Sequence, residues 1–474
     1  MDGIEESTLK TTRLRPFNPR SGTIDCDIVF GFSKTNHQGA TVSVPMCMKH
    51  FAVFVVAAVM GTNCVAQDWP RFRGPNGTGI SDTTTVPVQW TSKHYKWKVK
   101  LPGSGYASPI VVGDRIYCLC CDPETALRQV VCLHAADGRV LWQRQYESTP
   151  HHLHADTDYA SSTPAADQLG VVMVWATPAQ LLVVSLDRDG NEMWRRDLGA
   201  YRSLWGHATS PIIFDDMVVL LNDQMNPFVM KRFMPKGMEA TEIGESNLIA
   251  LDRMTGETRW KLDRETVITG YATPCVRKNS RGDQELVFAG TAKGLTGVNP
   301  KNGEINWQVN GLMSRTVMCP MIAGDLILAS HGTVLKGDQL IAVRPDLDSE
   351  MGDIIYESKN SIPLVPNGIY QDGLVFLISD SGVASCLQAS TGKVLWRKRL
   401  GGNYYASLVC VNRQLYCISR SGIVTVLRAT AEFKQLAEMD LNEKCFATPA
   451  IANGVMYVRT ETQLLAITDQ ERSR

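Results

Sequence analysis

Residues 107–142 read ASPIVVGDRIYCLCCDPETALRQVVCLHAADGRVLW, and this stretch decides the fold. Gly113-Asp114 separates two apolar runs, and Asp137-Gly138 separates two more runs further on. Gly and Asp accept the backbone conformations that tight turns require, so each pair predicts a β-hairpin. The stretch is therefore predicted to form four antiparallel strands, and the last of them carries Trp142.

The turn and the tryptophan recur along the chain. Five segments share the pattern Gly-x-x-x-Trp, in the pairs Gly138 and Trp142, Gly190 and Trp194, Gly256 and Trp260, Gly303 and Trp307, and Gly392 and Trp396. Trp97 lies in a similar strand-like run before the first unit. Because self-similarity at a regular spacing indicates a repeat fold, we interpret these six tryptophans as structural.

Each unit also opens with a small residue before proline, followed by an apolar run. The matching pairs are Ser108-Pro109, Thr163-Pro164, Ser210-Pro211, Thr273-Pro274, Cys319-Pro320 and Thr448-Pro449. Two further openings are irregular, one around Pro363 and one with Leu408 in the place of proline. Eight units of four strands each are typical of a β-propeller.

The last unit ends without a tryptophan strand, and residues 95–101 (YKWKVKL) supply one from the other end of the chain. Closing the ring in this way removes an exposed sheet edge. We predict an all-β fold, an eight-bladed β-propeller of four-stranded antiparallel blades over residues 95–470, closed by an N-terminal strand. Residues 67–94 are predicted to form a strap, and residues 223–246 a loop within blade three.

The segment before the strap resembles an export signal. Lys49 and His50 precede the apolar run 51–60 (FAVFVVAAVM), which is too short to span a membrane. We predict a signal peptide over 46–66, cleaved after Ala66, and a non-native or disordered extension over 1–45. The alternatives are a buried helix and lipid attachment at Cys64. The protein is therefore expected to be exported, into the periplasm or outside the cell.

The composition limits the classes of partner. The 474 residues include 48 Lys and Arg against 48 Asp and Glu, and no basic run occurs. Nucleic-acid affinity depends on clustered positive charge that meets phosphates, so nucleic acid is not expected as a partner. No transmembrane segment and a monomeric ring are expected.

The repeats Ser-Pro-(apolar)₃-Gly-Asp and Leu-Asp-x-x-Thr-Gly-x-x-x-Trp resemble those of pyrroloquinoline-quinone-type (PQQ-like) propellers. That superfamily includes quinoprotein alcohol and glucose dehydrogenases, and also non-enzymatic propellers such as the lipoprotein that assists outer-membrane protein assembly. The segment Asp68-Trp69-Pro70-Arg71-Phe72-Arg73-Gly74-Pro75 is similar to one in secreted PQQ-like proteins of planctomycete-type bacteria. The resemblance implies the fold, whereas function depends on the site that the propeller carries.

The dehydrogenase branch implies PQQ and Ca²⁺ in the central funnel and often a disulfide between adjacent cysteines. Cys120 and Cys121 are such a pair, although two small strand residues would give the same sequence. The metal ligands of that branch could not be placed on matching motifs. Cys410 with Cys417, and Cys118 with Cys132, are further candidate disulfides in an oxidising compartment, and buried free thiols are the alternative.

The first strand of each propeller blade lines the channel, so the residues at the openings are the candidates for a ligand funnel. They are mostly aromatic, with one imidazole and one guanidinium: Tyr106, Tyr159, Trp205, His207, Tyr271, Arg315, Tyr404, Tyr405 and Phe446. Aromatic rings with a few polar groups suit a flat or sugar-like ligand, or a peptide loop. The alternative is that the rings only fill the channel.

His151, His152 and His154, with Asp156 and Asp158 nearby, form the one dense imidazole cluster and are a weak metal candidate. We predict a non-catalytic platform in the cell envelope that binds proteins or a small, sugar-like ligand, without a cofactor. The alternatives are a PQQ- and Ca²⁺-dependent oxidoreductase and a carbohydrate-binding propeller.

Overall fold

The computed structural model describes residues 67–233, 245–333 and 336–469. The predicted signal peptide at 46–66 and the extension at 1–45 lie outside the described residues. Two short strands precede the first blade, β1 (Ile80–Ser81) and β2 (Tyr95–Lys100), with 3-10 turns at Pro75–Gly77 and Ser92–His94. The thirty-one strands that follow form the blades of a ring.

The first half of the ring contains four four-stranded antiparallel sheets. Blade one has β3 (Ile110–Val112), β4 (Arg115–Cys121), β5 (Arg128–His134) and β6 (Val140–Tyr146). Blade two has β7 (Ala165–Ala166), β8 (Gly170–Thr177), β9 (Gln180–Asp187) and β10 (Glu192–Asp197). Blade three has β11 (Ile212–Phe214), β12 (Met217–Asn222), β13 (Ser246–Asp252) and β14 (Thr258–Arg264), with helix α1 (Pro227–Phe233) between β12 and β13. Blade four has β15 (Cys275–Lys278), β16 (Gln284–Gly290), β17 (Gly294–Val298) and β18 (Ile305–Val309).

The second half repeats this order and completes the predicted eight blades. Blade five has β19 (Met321–Ala323), β20 (Leu326–Thr333), β21 (Lys336–Asp346) and β22 (Met351–Ser358). Blade six has β23 (Ile369–Gln371), β24 (Leu374–Ile378), β25 (Val383–Gln388) and β26 (Val394–Arg399). Blade seven has β27 (Val409–Val411), β28 (Gln414–Ile418), β29 (Ile423–Arg428) and β30 (Gln435–Asp440). Blade eight has β31 (Ala450–Ala452), β32 (Val455–Arg459) and β33 (Gln463–Ile467).

The N-terminal strand closes the ring, as the sequence predicted. Strand β2 pairs antiparallel with β33 and is the outer strand of blade eight, with Trp97 opposite Ala466. Blade seven differs from the prediction because β1 pairs in parallel with its inner strand, Ile80 lying opposite Cys410. The eight-bladed architecture is therefore confirmed, with one five-stranded blade.

The repeated tryptophans join neighbouring blades. A β-bulge places each of them at the same register position of an outer strand, as in Trp194 opposite Ser185. The indole N–H then donates to a backbone carbonyl of the next blade in five cases: Trp97 to Ala135, Trp142 to Arg188, Trp194 to Arg253, Trp260 to Pro300 and Trp396 to Thr430. Trp307 is the exception, since its indole donates to the Glu285 carboxylate within blade four at 2.9 Å.

The glycine of the repeat lies under the indole of the preceding blade. Gly256 has a φ of +72°, and a Cβ atom there would lie 2.6 Å from Trp194 Cε3. In blade five, Tyr356 takes the register position of the tryptophan and lies over Gly392 in the same way. These turns therefore require glycine for two reasons: the backbone has a positive φ, and a side chain would collide with the aromatic ring.

The strap crosses the channel at the end where each inner strand turns into the second strand of its blade. Trp69 pairs with Val111 of blade one, and the buried Arg71 and Arg73 donate to the carbonyls of Pro274 and Gly368. Burial lowers the pKa of both guanidinium groups to about 10. The strap thus connects blades that lie far apart around the ring.

Adjacent cysteines on β4 point to opposite faces of blade one, which argues against a Cys120–Cys121 disulfide. Cys120 packs toward blade eight and Cys121 toward blade two, because side chains alternate along a strand. Cys118 and Cys132 are separated across the sheet for the same reason. Cys410 and Cys417 share one apolar layer between blades six and seven, and within the described residues each of these cysteines is a free, buried thiol.

We predict that Gly256→Ala destabilises the ring more than Gly282→Ala does. Both glycines have a positive φ, but nothing lies within 4 Å of a Cβ at Gly282, whereas Trp194 occupies that space at Gly256. The difference between the two variants isolates the indole contact and should be about 1–3 kcal/mol in the free energy of unfolding. Urea denaturation followed by tryptophan fluorescence measures both values. Equal destabilisation would contradict the proposed role of the contact.

Candidate functional site

A ring of short polar side chains surrounds the channel just before the inner strands. We name it the floor ring; it consists of Ser108, Thr163, Ser210, Thr273, Cys319, Asn367, Ser407 and Thr448. Seven backbone N–H groups of these residues donate to the side chain of the equivalent residue in the next blade, at 2.7–3.2 Å. This bonding explains why a short polar residue precedes proline in the repeat. It also places the opening of blade six at Asn367 and not at Pro363.

A second layer lies two residues earlier in each blade. We name it the wall ring; it consists of Tyr106, Ser161, Ala208, Tyr271, Val317, Val365, Tyr405 and Phe446. The wall ring and all of the floor ring except Cys319 line one cavity of about 1040 Å³, a volume that includes its open mouth. Phe72 of the strap lines the same cavity. We call this cavity the funnel.

Six of the nine predicted funnel residues line this cavity: Tyr106, Trp205, Tyr271, Arg315, Tyr405 and Phe446. The other three do not, and they correct the prediction. Tyr404 and His207 lie three positions before the floor ring, and the odd offset turns them away from the channel. Tyr404 packs in the core between blades six and seven, and His207 is buried against Tyr201. Tyr159 packs against His151 instead and donates to its carbonyl oxygen.

The rings and the arginines at the mouth form two groups. Tyr106 and Phe446 stack with 4.1 Å between ring centroids, and the Arg420 guanidinium lies 4.5 Å from the Tyr405 ring. On the other side, the Arg315 guanidinium lies 4.5 Å from the ring of Trp205. Sequence reasoning missed Arg420, because it belongs to the turn between β28 and β29 and not to an opening.

The histidine-rich loop contributes to the funnel rim. His154 and Asp156 line the funnel, and the Asp156 carboxylate forms an ion pair of 2.8 Å with Arg420. His151 packs on Tyr159, and His152 is exposed. Among the residues described, no group of three or more His, Cys, Asp or Glu side chains could hold a metal ion.

The funnel does not fit the Ca²⁺ and quinone of the dehydrogenase branch. Ca²⁺ takes about six to eight oxygen ligands, mostly from carboxylates and carbonyls. Asp156 is the one carboxylate among the described lining residues, and Arg420 already neutralises it. Cys120 and Cys121 face opposite sides of their strand, so they cannot form a clamp over a flat ring without a backbone rearrangement.

We predict that His207 makes the stability of the fold depend on pH. Burial, with a smaller contribution from the charge of Arg128, lowers its pKa from 6.5 to about 3. The unfolded chain therefore binds more protons than the folded one between those values, and stability falls as the pH drops through that window. The loss is on the order of 4 kcal/mol once the pH is near the lower value.

Urea titrations at several pH values between neutral and acidic test this dependence. His207→Phe keeps a ring against Tyr201 and removes the titrating group, so its stability should vary less over the window. His152→Gln changes an exposed histidine and is the matched control. A wild-type slope that persists in His207→Phe would assign the effect to other groups.

Comparison with known proteins places this geometry among propellers of two kinds. A family model described as outer membrane protein assembly factor BamB matches residues 81–220, 128–334 and 346–432. The BamB protein of Yersinia pestis is 21% identical over 300 residues, which are 60% of this chain and 68% of that protein.

Among the described residues, no helix has the length and apolar character needed to cross a membrane.

Solved structures share the fold at low identity. BamB from Moraxella catarrhalis aligns with a TM-score of 0.53 and 13% identity, over 78% of this chain and 98% of that one. A europium-containing methanol dehydrogenase gives 0.61 and 11%, over 85% and 89% of the two chains. The quinohemoprotein alcohol dehydrogenase of Comamonas testosteroni gives 0.59 and 11%, over 86% and 81%.

The solved structures that share the fold thus include a BamB protein and two dehydrogenases. The family model that matches the sequence covers most of the propeller and is described as BamB. The chain therefore belongs to the family of PQQ-like repeat propellers that is described as outer membrane protein assembly factor BamB.

Proposed function

We propose that this protein is an exported, non-catalytic propeller that binds other proteins of the cell envelope. The observation that supports this proposal is a set of exposed apolar side chains on the loops around the funnel mouth. Phe228 is 86% exposed, Met313 84% and Val267 54%. Large exposed apolar residues that lie close together on a soluble protein are typical of an interaction surface.

Contacts among the described residues link the loops that carry these three side chains, and we name the three the mouth patch. The backbone N–H of Asn226, at the start of α1, donates to the carbonyl of Val267, which brings Phe228 close to that loop. Trp205 and Ile268 both pack on a small buried cluster of Leu204, Met225 and Met230, the last of which belongs to α1. Arg315 lies over Trp205, two residues after Met313. The mouth patch thus extends from α1 to the rim of the funnel.

The partner that suits the mouth patch is a folded envelope protein with a complementary apolar surface. The family description, an outer membrane protein assembly factor, supports a partner in that compartment. The balanced charge of the chain gives no reason for a polyanionic partner. Aromatic and methionine side chains are also the types enriched at the centres of protein interfaces.

We expect the double variant Phe228→Ser/Met313→Ser to lose envelope partners that the wild-type chain retains. Loss of two buried anchors at an interface typically costs about 2–4 kcal/mol, or at least tenfold in affinity. Affinity capture from an envelope extract, with quantification of each recovered protein, measures the loss. Met254→Ser is the control, because Met254 is 53% exposed on blade three, which also carries Phe228, but lies in the turn between β13 and β14, at the strap end. Equal recovery with all three proteins would contradict the proposal.

The absence of catalysis is tested separately. We expect no saturable uptake when purified protein is titrated with PQQ and Ca²⁺, since the described lining of the funnel offers the cation no carboxylate that is free of an ion pair. Quinone absorbance, the thermal unfolding midpoint and dye reduction with alcohols or sugars are the measurements. Stoichiometric uptake together with dye reduction would replace the platform with a quinoprotein oxidoreductase.

A further inference from the structure

Arg315 lines the funnel and forms no direct ion pair in the described part of the chain. The buried Asp380 carboxylate, whose oxygens accept the backbone N–H groups of Leu364 and Val365, acts on it only at longer range. The Arg315 guanidinium lies 4.5 Å from the Trp205 ring, and among the described residues it has no hydrogen-bond acceptor. Burial lowers its pKa, but a guanidinium stays charged at neutral pH. A partly buried charge without a direct ion pair is costly, so an anion that reaches it gains more than it would in water.

The other arginines near the channel are already engaged. Arg420 pairs with Asp156 at 2.8 Å. Arg71 and Arg73 donate to the carbonyl oxygens of Pro274 and Gly368, respectively, from the strap side. The contrast makes Arg315 the available positive charge among these four.

The floor ring adds hydroxyl donors to the same cavity. The side-chain oxygens of Ser108, Thr163, Ser210, Ser407 and Thr448 each accept a backbone N–H. Within the described residues, no acceptor is hydrogen-bonded to the proton of any of these five hydroxyl groups. Each of these hydroxyls therefore keeps its O–H proton to donate, which suits a ligand rich in oxygen acceptors.

The walls and the closed end limit the shape of the ligand. Tyr106 stacked on Phe446, together with Tyr271 and Tyr405, presents flat apolar surfaces around the funnel. Phe72 of the strap lines the cavity, and the strap crosses the channel at the far end. A polymer could not thread through, so the funnel suits a small ring compound.

We propose that the funnel binds a small ring compound that carries a carboxylate, with Arg315 as its counter-charge and the hydroxyls of the floor ring as donors to its oxygens. Aromatic acids and sugar acids share this chemistry. The site is separate from the mouth patch anchors Phe228 and Met313 and does not depend on the proposed protein partner. It adds a ligand to the propeller and requires no reaction.

Calorimetric titration of the purified full chain with matched acid and neutral compounds tests the site. The pairs are D-glucuronate with D-glucose, and 4-hydroxybenzoate with 4-hydroxybenzyl alcohol. We expect at least one acid to bind with a Kd below about 1 mM, and its neutral partner to bind at least tenfold more weakly. The pair that responds identifies the sugar acid or the aromatic acid as the ligand class.

Arg315→Gln should weaken binding of that acid at least tenfold, and Arg315→Lys should weaken it less because the charge remains. Arg344→Gln is the control, since Arg344 pairs with Asp325 on the surface of the same blade. Thermal unfolding of each variant confirms that it is folded. Failure of every acid to bind, equal binding of acid and neutral compound, an unchanged Kd in Arg315→Gln, or equally tight binding of inorganic phosphate would overturn the proposal.

Discussion

The indole of one blade packs on the glycine turn of the next blade, and the ring depends on that contact. A four-stranded blade has two apolar faces, and each face must be covered by a neighbour around a closed circle. The indole covers the turn, and its N–H donates to a backbone carbonyl of the next blade. Gly256 and its equivalents must lack a side chain because the indole fills that space.

Two other sets of contacts, which we call the inner closures, lie nearer the axis of the ring and reinforce this one. The floor ring links neighbouring inner strands through hydrogen bonds from backbone to side chain, and Thr448 returns the circle to Ser108. The strap reaches blades one, four and six through Trp69, Arg71 and Arg73. The outer contact fixes the spacing of the blades, whereas the inner closures fix the positions of the funnel side chains.

The same alternation that builds the blades separates structural from binding residues at the funnel. Counting back from the floor ring, the position two residues earlier faces the channel and the position three residues earlier faces a neighbouring blade. Tyr405 therefore lines the funnel, while the adjacent Tyr404 is part of the core. Arg315 and Asp156 lie on longer loops outside this alternation, and their surroundings differ. Asp156 forms an ion pair with Arg420, whereas Arg315 has no ion pair among the described residues.

The sequence by itself determined the number of blades, the turns, the closing strand and most of the aromatic funnel, because these depend on local rules that repeat in every unit. It could not show which neighbouring blade each of Cys120 and Cys121 faces, because that depends on the register of β4 within the ring. It did not identify the partner of Asp156 either, because Arg420 comes from a turn more than 260 residues later in the chain. Tertiary structure alone decided which charges in the funnel are paired, because ion pairing depends on distances across the channel that no local pattern encodes.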